Sequence, residues 1–521
     1  MSRFRRVIHS IGSSYVVLGA NMIYTLMSVP LALRYLSGEE FGLWALVMQL
    51  GGYLALLDLG LSASAGRILF EVKDDQSGQV YGETLQTGFL VLALQGLLLV
   101  VLGVLAAPAL ATVLKVPAHL QHDFVILLRW QCLIGGISLG GRMLSNVLVV
   151  HHRWDIANYI QCLVFVVSFV TLWLSFAAGW KLYSLPVTTA IGSLVAIAGW
   201  IVAASRLRLY PKRGTWGRPR TSRFLQMLVL GRDMFLVNVG FQFVMASQTL
   251  IVTRVLGLEG AAIWSVCTKM FALALQLVWR LYDFSSTAFA EMFVRKEEEQ
   301  LQRRFKGIVT VTASLAALAG VLFAVFNQPF VALWAGPQLA WDNINNVLLG
   351  VWLILVSVAR CHTGHILVTA RIGGLRYIYL AEAAAFLILG EWLARHWGFP
   401  GIMVAAIVST SLLSGAYGIW RSRETFGVPL RELLLQWQMP MLRVVICVVP
   451  VAAAIWFGLG RASDIGRMAA ALFVAALGAL VLLRAGLPTE MQSELLRRAP
   501  APAAAFLQKV FPHRSAAPRY Q

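Results

Sequence analysis

Residues 21–69 read NMIYTLMSVPLALRYLSGEEFGLWALVMQLGGYLALLDLGLSASAGRIL, and this stretch decides the class of fold. It contains most of two apolar runs, about 13–36 and 41–62, joined by a short polar turn. A helix that crosses the hydrocarbon core of a bilayer needs about 20 mostly apolar residues. The first run is too long for a signal-peptide core, so the stretch predicts two retained membrane-spanning helices.

The same pattern extends along the whole chain of 521 residues, of which 59% are hydrophobic and only 13% are charged. Soluble domains carry about 45–50% apolar and about 25% charged residues, so this composition excludes a soluble enzyme. We therefore predict an all-α polytopic membrane protein. Fourteen runs are predicted to span the membrane, at about 13–36, 41–62, 84–114, 123–150, 155–179, 184–204, 226–252, 260–288, 307–334, 343–370, 374–394, 399–420, 441–460 and 466–485.

The basic residues are distributed unevenly between the two sides of this topology. With the N-terminus in the cytosol, the cytosolic segments carry 29 of the 43 Lys and Arg residues and the outer segments carry 7. Because Lys and Arg favour cytosolic loops, both termini are predicted to be cytosolic. The basic loop 206–223 is then predicted to face lipid headgroups rather than nucleic acid, despite the net charge of +19.

The two halves of the chain are related by an internal repeat. Segment 34–44 (RYLSGEEFGLW) aligns with segment 254–264 (RVLGLEGAAIW). An even number of spans in each half gives both halves the same orientation, as in parallel transporter repeats, which commonly rock about a shared cleft. The matched pairs are Arg34/Arg254, Leu36/Leu256, Trp44/Trp264 and Pro117/Pro337 at an offset of 220, then Arg142/Arg360, Arg153/Arg371, Tyr159/Tyr377 and Ile160/Ile378 at 218.

This repeat predicts a 6+6+2 plan, in which two pseudo-symmetric six-helix bundles surround a central cavity and two spans follow. The predicted segments are an N-terminal bundle (1–205), a basic cytosolic linker (206–225), a C-terminal bundle (226–421), two additional spans (422–485) and a cytosolic tail (486–521).

The turn LSGEEFG (36–42) and the sequence LDLGL (57–61) resemble the opening spans of the bacterial polysaccharide (O-antigen type) flippases. These flippases belong to the multidrug/oligosaccharidyl-lipid/polysaccharide exporter superfamily, and the 6+6+2 plan extends the resemblance over nearly the whole chain. The resemblance implies that the protein lies in the bacterial inner membrane. Its implied substrate is an oligosaccharide linked to undecaprenyl diphosphate, which is moved from the inner to the outer leaflet for lipopolysaccharide synthesis. The resemblance also implies a cavity between spans 1, 2, 7 and 8, and partners such as a polysaccharide polymerase and chain-length proteins.

Polar residues inside the predicted spans point to the same cavity. Charges at membrane depth are costly and favour functional roles. At 100° per residue, four polar residues of span 8 form one stripe, in which Lys269 and Arg280 would attract a diphosphate and Asp283 would hold Arg280. The predicted cavity residues are Lys269, Gln276, Arg280 and Asp283 in span 8, Asn21 and Thr25 in span 1, and Asn238 and Gln242 in span 7. The alternative interpretation is that the stripe forms a static network of interhelical ion pairs.

Other charged residues have less specific predictions. Arg142 and Arg360 would meet the headgroup at the entrance or snorkel to the interface. Arg34 and Arg254 would act as gates or interfacial anchors. Asp58 and Glu382 are the candidate coupling sites, with an ion pair as the alternative for Asp58.

The sequence as a whole predicts a non-enzymatic flippase of a lipid-linked oligosaccharide that works by alternating access. We find no nucleotide-binding motif and no catalytic triad pattern, and a histidine pair at 362 and 365 lacks further ligands for a metal. No cofactor or metal is predicted, and coupling to an H⁺ or Na⁺ gradient is left open. A multidrug/cation antiporter of the same superfamily is the alternative, and a glycosyl polymerase or ligase is disfavoured by the short outer loops.

Overall fold

The computed structural model describes residues 3–74, 79–212, 214–369, 372–458, 463–498 and 501–511. Parts of the predicted linker, last spans and tail (213, 459–462, 499–500 and 512–521) lie outside the described residues. Within the described residues every regular element is a helix, which confirms the all-α prediction. The chain divides into two compact units, Met1–Ser265 and Val266–Gln521.

The first unit is built from seven helices and most of an eighth. Many apolar side chains on their outer faces are exposed, such as Leu97 and Leu105 of the fourth helix, as expected for helices that face lipid tails. The helices are α1 (Arg3–Tyr35), α2 (Gly38–Leu54), α3 (Leu61–Val72), α4 (Gln79–Val113), α5 (Ala118–Val150), α6 (Trp154–Ala177), α7 (Ser184–Arg206) and α8 (Thr221–Cys267).

The second unit continues with ten helices, and three short π-helical segments interrupt or extend them at Ser411–Gly415, Glu432–Gln436 and Leu482–Gly486. The helices are α9 (Lys269–Val294), α10 (Glu298–Trp334), α11 (Asn343–Val368), α12 (Leu375–Trp397), α13 (Phe399–Thr410), α14 (Ala416–Phe426), α15 (Met439–Gly458), α16 (Asp464–Val481), α17 (Thr489–Arg498) and α18 (Ala501–Val510).

Twelve helical segments of the described chain are long and apolar enough to cross a membrane, and the difference from fourteen has two causes. The predicted second span is divided into α2, a 3-10 turn and α3, and α2 alone has only 17 residues. The predicted seventh and eighth spans form one 60-residue segment, Phe235–Val294. That segment would be about 90 Å long if straight, but Gly257 breaks it with φ 77° and ψ −175°. The count of fourteen and the 6+6+2 plan stay predictions.

Each unit contains one close crossing of two long helices at a pair of glycines. In the first unit α4 and α5 cross at Gly96 and Gly136, and in the second unit α10 and α11 cross at Gly320 and Gly350. A Cβ atom on Gly136 would lie 2.6 Å from the carbonyl oxygen of Gly96, and one on Gly350 would lie 2.7 Å from that of Gly320. Small residues let helix backbones approach closely in membranes. The third and fourth predicted spans of each repeat, α4 with α5 and α10 with α11, therefore pack in the same way.

The basic loop that follows α7 folds back onto the start of α4. The backbone N–H of Arg220 donates to Thr87 Oγ1 (3.0 Å), and the Arg220 guanidinium pairs with the buried carboxylate of Glu83 at 2.8 Å. The Tyr81 hydroxyl donates to the Leu209 carbonyl (2.9 Å). This loop is thus anchored at both of its ends to one helix of the first unit.

Candidate functional site

In the first unit a helix break positions Asp58. The 3-10 turn Ala55–Asp58 ends α2, and Leu59 and Gly60 follow with positive φ angles of 52° and 72°. Asp58 Oδ1 accepts hydrogen bonds from the N–H (2.9 Å) and the hydroxyl (2.7 Å) of Ser62. Since the first N–H groups of a helix lack partners within that helix, the carboxylate caps the start of α3.

Side chains of α4 and α5 donate hydrogen bonds to the residues of this break. Arg142 Nη1 donates to Asp58 Oδ2 at 2.9 Å, and Asn146, one turn further along α5, donates to the Ser62 carbonyl at 2.9 Å. Gln95 of α4 donates to the carbonyl of Asp58 at 3.2 Å. Both carboxylate oxygens of Asp58 are therefore engaged, and its side chain is only 14% exposed.

The second unit contains a corresponding pair with a different environment. Asp283 of α9 accepts from Arg360 Nη2 of α11 at 3.0 Å, and the Arg360 guanidinium also lies 4.8 Å from the centre of the Trp279 ring. The side chain of Asp283 is 47% exposed. Asp283 is expected from the sequence to hold Arg280, and the structure adds Arg360 of another helix as a partner of this carboxylate.

A glycine brings α11 and α9 together beside this pair. A Cβ atom on Gly364 would lie 2.7 Å from Cζ of Tyr282, so the ring of Tyr282 occupies the space that a side chain would need. Tyr282 precedes Asp283 and is buried. Packing of the ring against Gly364 therefore sets the distance between the two helices and places Asp283 opposite Arg360.

The polar stripe of span 8 lies on a single regular helix. All four of its residues belong to α9, so they share one face over about 21 Å. Gln276 and Asp283 are exposed on the second unit, and Lys269 and Arg280 are half-buried. Among the described residues none supplies a hydrogen bond or an ion pair to the Lys269 ammonium. Within the described part of the chain, the positive charge of Lys269 is therefore not neutralised by a neighbouring acid.

Six of the remaining candidates lie in the first unit. Asn21 and Thr25 are half-buried on α1, whereas Ser14 of the same helix accepts from Asn158 of α6 (3.1 Å). On α8 Asn238 is exposed. The Gln242 side chain packs closely against Gly52, since a Cβ atom on Gly52 would lie 2.9 Å from Gln242 Nε2. Arg34 and Arg254 are exposed near the ends of their apolar segments.

Glu382 differs from the other acidic candidates because it is almost fully buried, with 2% exposure. Thr410, directly before the π-helical segment Ser411–Gly415, donates its hydroxyl to Glu382 Oε1 at 2.8 Å. The other oxygen, Oε2, has no hydrogen-bond partner among the described residues.

Sequence reasoning identified the charged residues of both ion pairs but missed the residues that support them. Ser62, Gln95 and Asn146 were not singled out, although Asn146 follows Arg142 by four residues and so shares its helix face. Trp279 and Tyr282, which flank the second pair, were also missed. Their apolar rings resemble ordinary packing residues, and the sequence contains no signal of their contact with Arg360 or Gly364.

Comparison with known proteins identifies the family of the chain and solved structures with a similar fold. A family model described as "Polysaccharide biosynthesis protein" matches residues 7–283. An inward-facing multidrug resistance MATE family transporter of the MOP superfamily covers 78% of this chain and 95% of its own, with a TM-score of 0.67 at 11% identity. The lipid II flippase MurJ, in an inward closed conformation, covers 91% of this chain and 98% of its own (TM-score 0.64, 13% identity).

A third solved structure is a MOP superfamily transporter from Pyrococcus furiosus whose binding pocket has reverse polarity. It covers 81% of this chain and 96% of its own, with a TM-score of 0.60 at 13% identity. At these identities the likeness concerns the fold. No curated protein matches the sequence.

Proposed function

Since the chain belongs to the polysaccharide biosynthesis protein family and has the fold of MOP superfamily transporters, we propose that it is a flippase of a polyprenyl-diphosphate-linked oligosaccharide. The similarity in fold to the lipid II flippase MurJ supports this class of substrate. The polar stripe of α9, with two basic residues (Lys269 and Arg280) and one acid (Asp283), supports an anionic cargo. In this proposal the protein moves the lipid-linked sugar across the bacterial inner membrane by alternating access. It would serve surface polysaccharide synthesis, for example of O-antigen, next to a polymerase and chain-length proteins.

The observation that carries the proposal is the ammonium of Lys269. It lies within the apolar segment Phe235–Val294 and has no hydrogen-bond or ion-pair partner among the described residues. An unpaired charge at membrane depth is expensive, so it is normally retained for a ligand of opposite charge. A diphosphate fits because each of its oxygens accepts charge-assisted hydrogen bonds.

Arg360 is the second group that we assign to the headgroup. Its guanidinium is held by a single carboxylate that is half exposed, so a diphosphate can replace Asp283 as its partner. Arg142 is less suited to this role because its carboxylate partner also caps a helix. We assign Gln276 and Arg280 to the same face, since both lie between Lys269 and Asp283 on α9.

The proposal is tested with purified protein in liposomes that contain a polyprenyl-diphosphate oligosaccharide. Wild-type protein should expose the sugar to an external lectin without ATP, and Lys269→Gln should reduce the rate at least tenfold. Lys296→Gln, which removes the same charge from the exposed turn after α9, is the control and should leave the rate unchanged. Equal rates for the two variants would exclude Lys269 from the site.

The same liposomes distinguish the antiporter alternative. Efflux of a cationic dye driven by an H⁺ or Na⁺ gradient, with no movement of the lipid-linked sugar, would replace the flippase proposal by that of a multidrug antiporter. Sugar polymerisation in the vesicles would instead indicate a polymerase or ligase.

We assign ion coupling to Glu382. A buried carboxyl group with one unpaired oxygen can bind and release a proton with little rearrangement, whereas both oxygens of Asp58 are occupied. Glu382→Gln should remove the acceleration of flipping by a pH gradient and retain exchange at equal pH. Glu382→Asp is the matched control and should respond to the gradient. A response to a Na⁺ gradient alone would assign the coupling to Na⁺.

A further inference from the structure

The second unit contains a mainly apolar cavity at one end of α14 that the proposed function does not use. Its volume is about 480 Å³, within the range of about 300–1,000 Å³ typical of small-molecule sites. Parts of α11, α13, α14 and α15 and both adjoining π-helical segments form its walls. Among its lining residues are Ile354, Val358, Ala416, Ile419, Leu433 and Leu434.

Both π-helical segments contribute to the walls of this cavity. Ser411–Gly415 separates α13 from α14, and Glu432–Gln436 precedes α15; both supply lining residues. A π-bulge widens one helical turn and is frequent at functional sites. Two such segments around one cavity indicate that the space is built into the fold.

A polar cavity of about 650 Å³ adjoins the apolar one. The two cavities share Trp420 and Arg423, and the polar cavity is otherwise lined by the turn that leads out of α14. Trp420 is 50% exposed, as tryptophans at a membrane–water interface often are. The pair of cavities thus joins an apolar slot to a more polar mouth.

The charges at the mouth favour an anion. Arg423 is exposed, and within the described chain no residue pairs with it. The nearby acid Glu424 already accepts a hydrogen bond from Arg421, so it does not neutralise Arg423.

A buried amide inside the slot lacks a partner. Gln438 is only 9% exposed and lines the apolar cavity, and its Oε1 has no hydrogen-bond donor among the described residues. Burying an acceptor without a donor is costly, so this oxygen points to a ligand that brings a hydroxyl group into the cavity.

We propose that these two cavities bind an anionic glycerophospholipid of the phosphatidylglycerol type. One hydrocarbon chain occupies the apolar slot, the phosphate lies against the Arg423 guanidinium, and a glycerol hydroxyl donates to Gln438 Oε1. A polyprenyl phosphate has the same phosphate and an apolar chain, but it lacks the glycerol hydroxyls that Gln438 requires. The site therefore differs from that of the transported lipid.

Native mass spectrometry of the full-length protein, titrated in detergent with single lipids, tests this site. Wild-type protein should bind phosphatidylglycerol about fivefold more tightly than phosphatidylcholine, as expected for one basic contact. Arg423→Gln should reduce this preference. Arg431→Gln, which removes an equal charge from an exposed position outside both cavities, should retain it.

Two substitutions that introduce the same residue, phenylalanine, test the slot itself. Ala416→Phe places a ring in the cavity and should weaken the binding of both lipids, whereas Leu412→Phe, on a 70% exposed position outside the cavity, should weaken neither. The proposal is overturned if Arg423→Gln behaves like Arg431→Gln, or if undecaprenyl phosphate binds more tightly than phosphatidylglycerol. Displacement of phosphatidylglycerol by inorganic phosphate at equal concentration would also overturn it, since the slot would then contribute nothing.

Discussion

The ion pairs Asp58–Arg142 and Asp283–Arg360 join corresponding helices of the two predicted repeats but have different surroundings. In the first unit the helix that carries the acid is broken, and Asn146 satisfies its backbone. In the second unit α9 is continuous, and Gly364 makes room for Tyr282.

Asn146 and Gly364 are related by the same offset of 218 as Arg142 and Arg360. The predicted repeat thus contains a structural pair in the first unit and a more accessible pair in the second.

The largest effect is expected where the two units are most alike, at the glycine crossings. Gly136→Leu and Gly350→Leu should each abolish monodisperse protein in size-exclusion chromatography, because the new side chain would overlap the facing backbone. Gly307→Leu on α10, where a Cβ atom has no neighbour within 4 Å, is the control. A tolerant Gly350→Leu variant would show that the two crossings are not equivalent.

Asp58→Asn should be the most destabilising of the ion-pair variants. It leaves the Arg142 charge without its partner and weakens the cap of α3, at a cost of about 2–3 kcal/mol because Arg142 is partly exposed. Thermal unfolding in detergent should show a midpoint several degrees lower than that of the wild type. An unchanged midpoint would contradict the structural role of this pair.

Arg360→Gln and Arg142→Gln should separate transport from stability. Arg360→Gln should reduce flipping about tenfold with a nearly unchanged unfolding midpoint, since one charged contact to the headgroup is lost. Arg142→Gln should lower the midpoint and leave the rate per folded molecule close to the wild type. Identical behaviour of the two variants would remove the distinction between the pairs.

Asp283→Asn should have the smallest effect on stability. Both partners of this pair are about one-third to one-half exposed, so the change in the free energy of unfolding should stay within about 1 kcal/mol. A loss comparable with that of Asp58→Asn would show that the second pair is structural too.

The sequence predicts the helical class well because each apolar run is long and the polar turns between runs are short. It also identifies Asp58, Arg142, Asp283 and Arg360, since a charge within an apolar run is conspicuous. The pairing of these residues is not readable from the sequence, because 84 and 77 residues separate the partners. Helix periodicity favours partners three or four positions away, and it therefore suggested Arg280 for Asp283.

The positions of the breaks within helices also cannot be predicted from the sequence. Gly60 follows Asp58 and Leu59, but Leu59 itself adopts a positive φ angle that leucine rarely takes. Tertiary contacts from Gln95, Arg142 and Asn146 stabilise that conformation. The π-helical segments leave no periodic signal, since each changes the register of a single turn.

The break after α2 also has a consequence for biogenesis. The α2 helix has 17 residues, whereas a helix that inserts independently needs about 20. The 3-10 turn that follows α2 ends at the charged Asp58. Only two residues separate α2 from the end of α1. We therefore expect the translocon to release α1 and α2 into the bilayer together, as a hairpin, with α3 docking only after α4 and α5 have been synthesised.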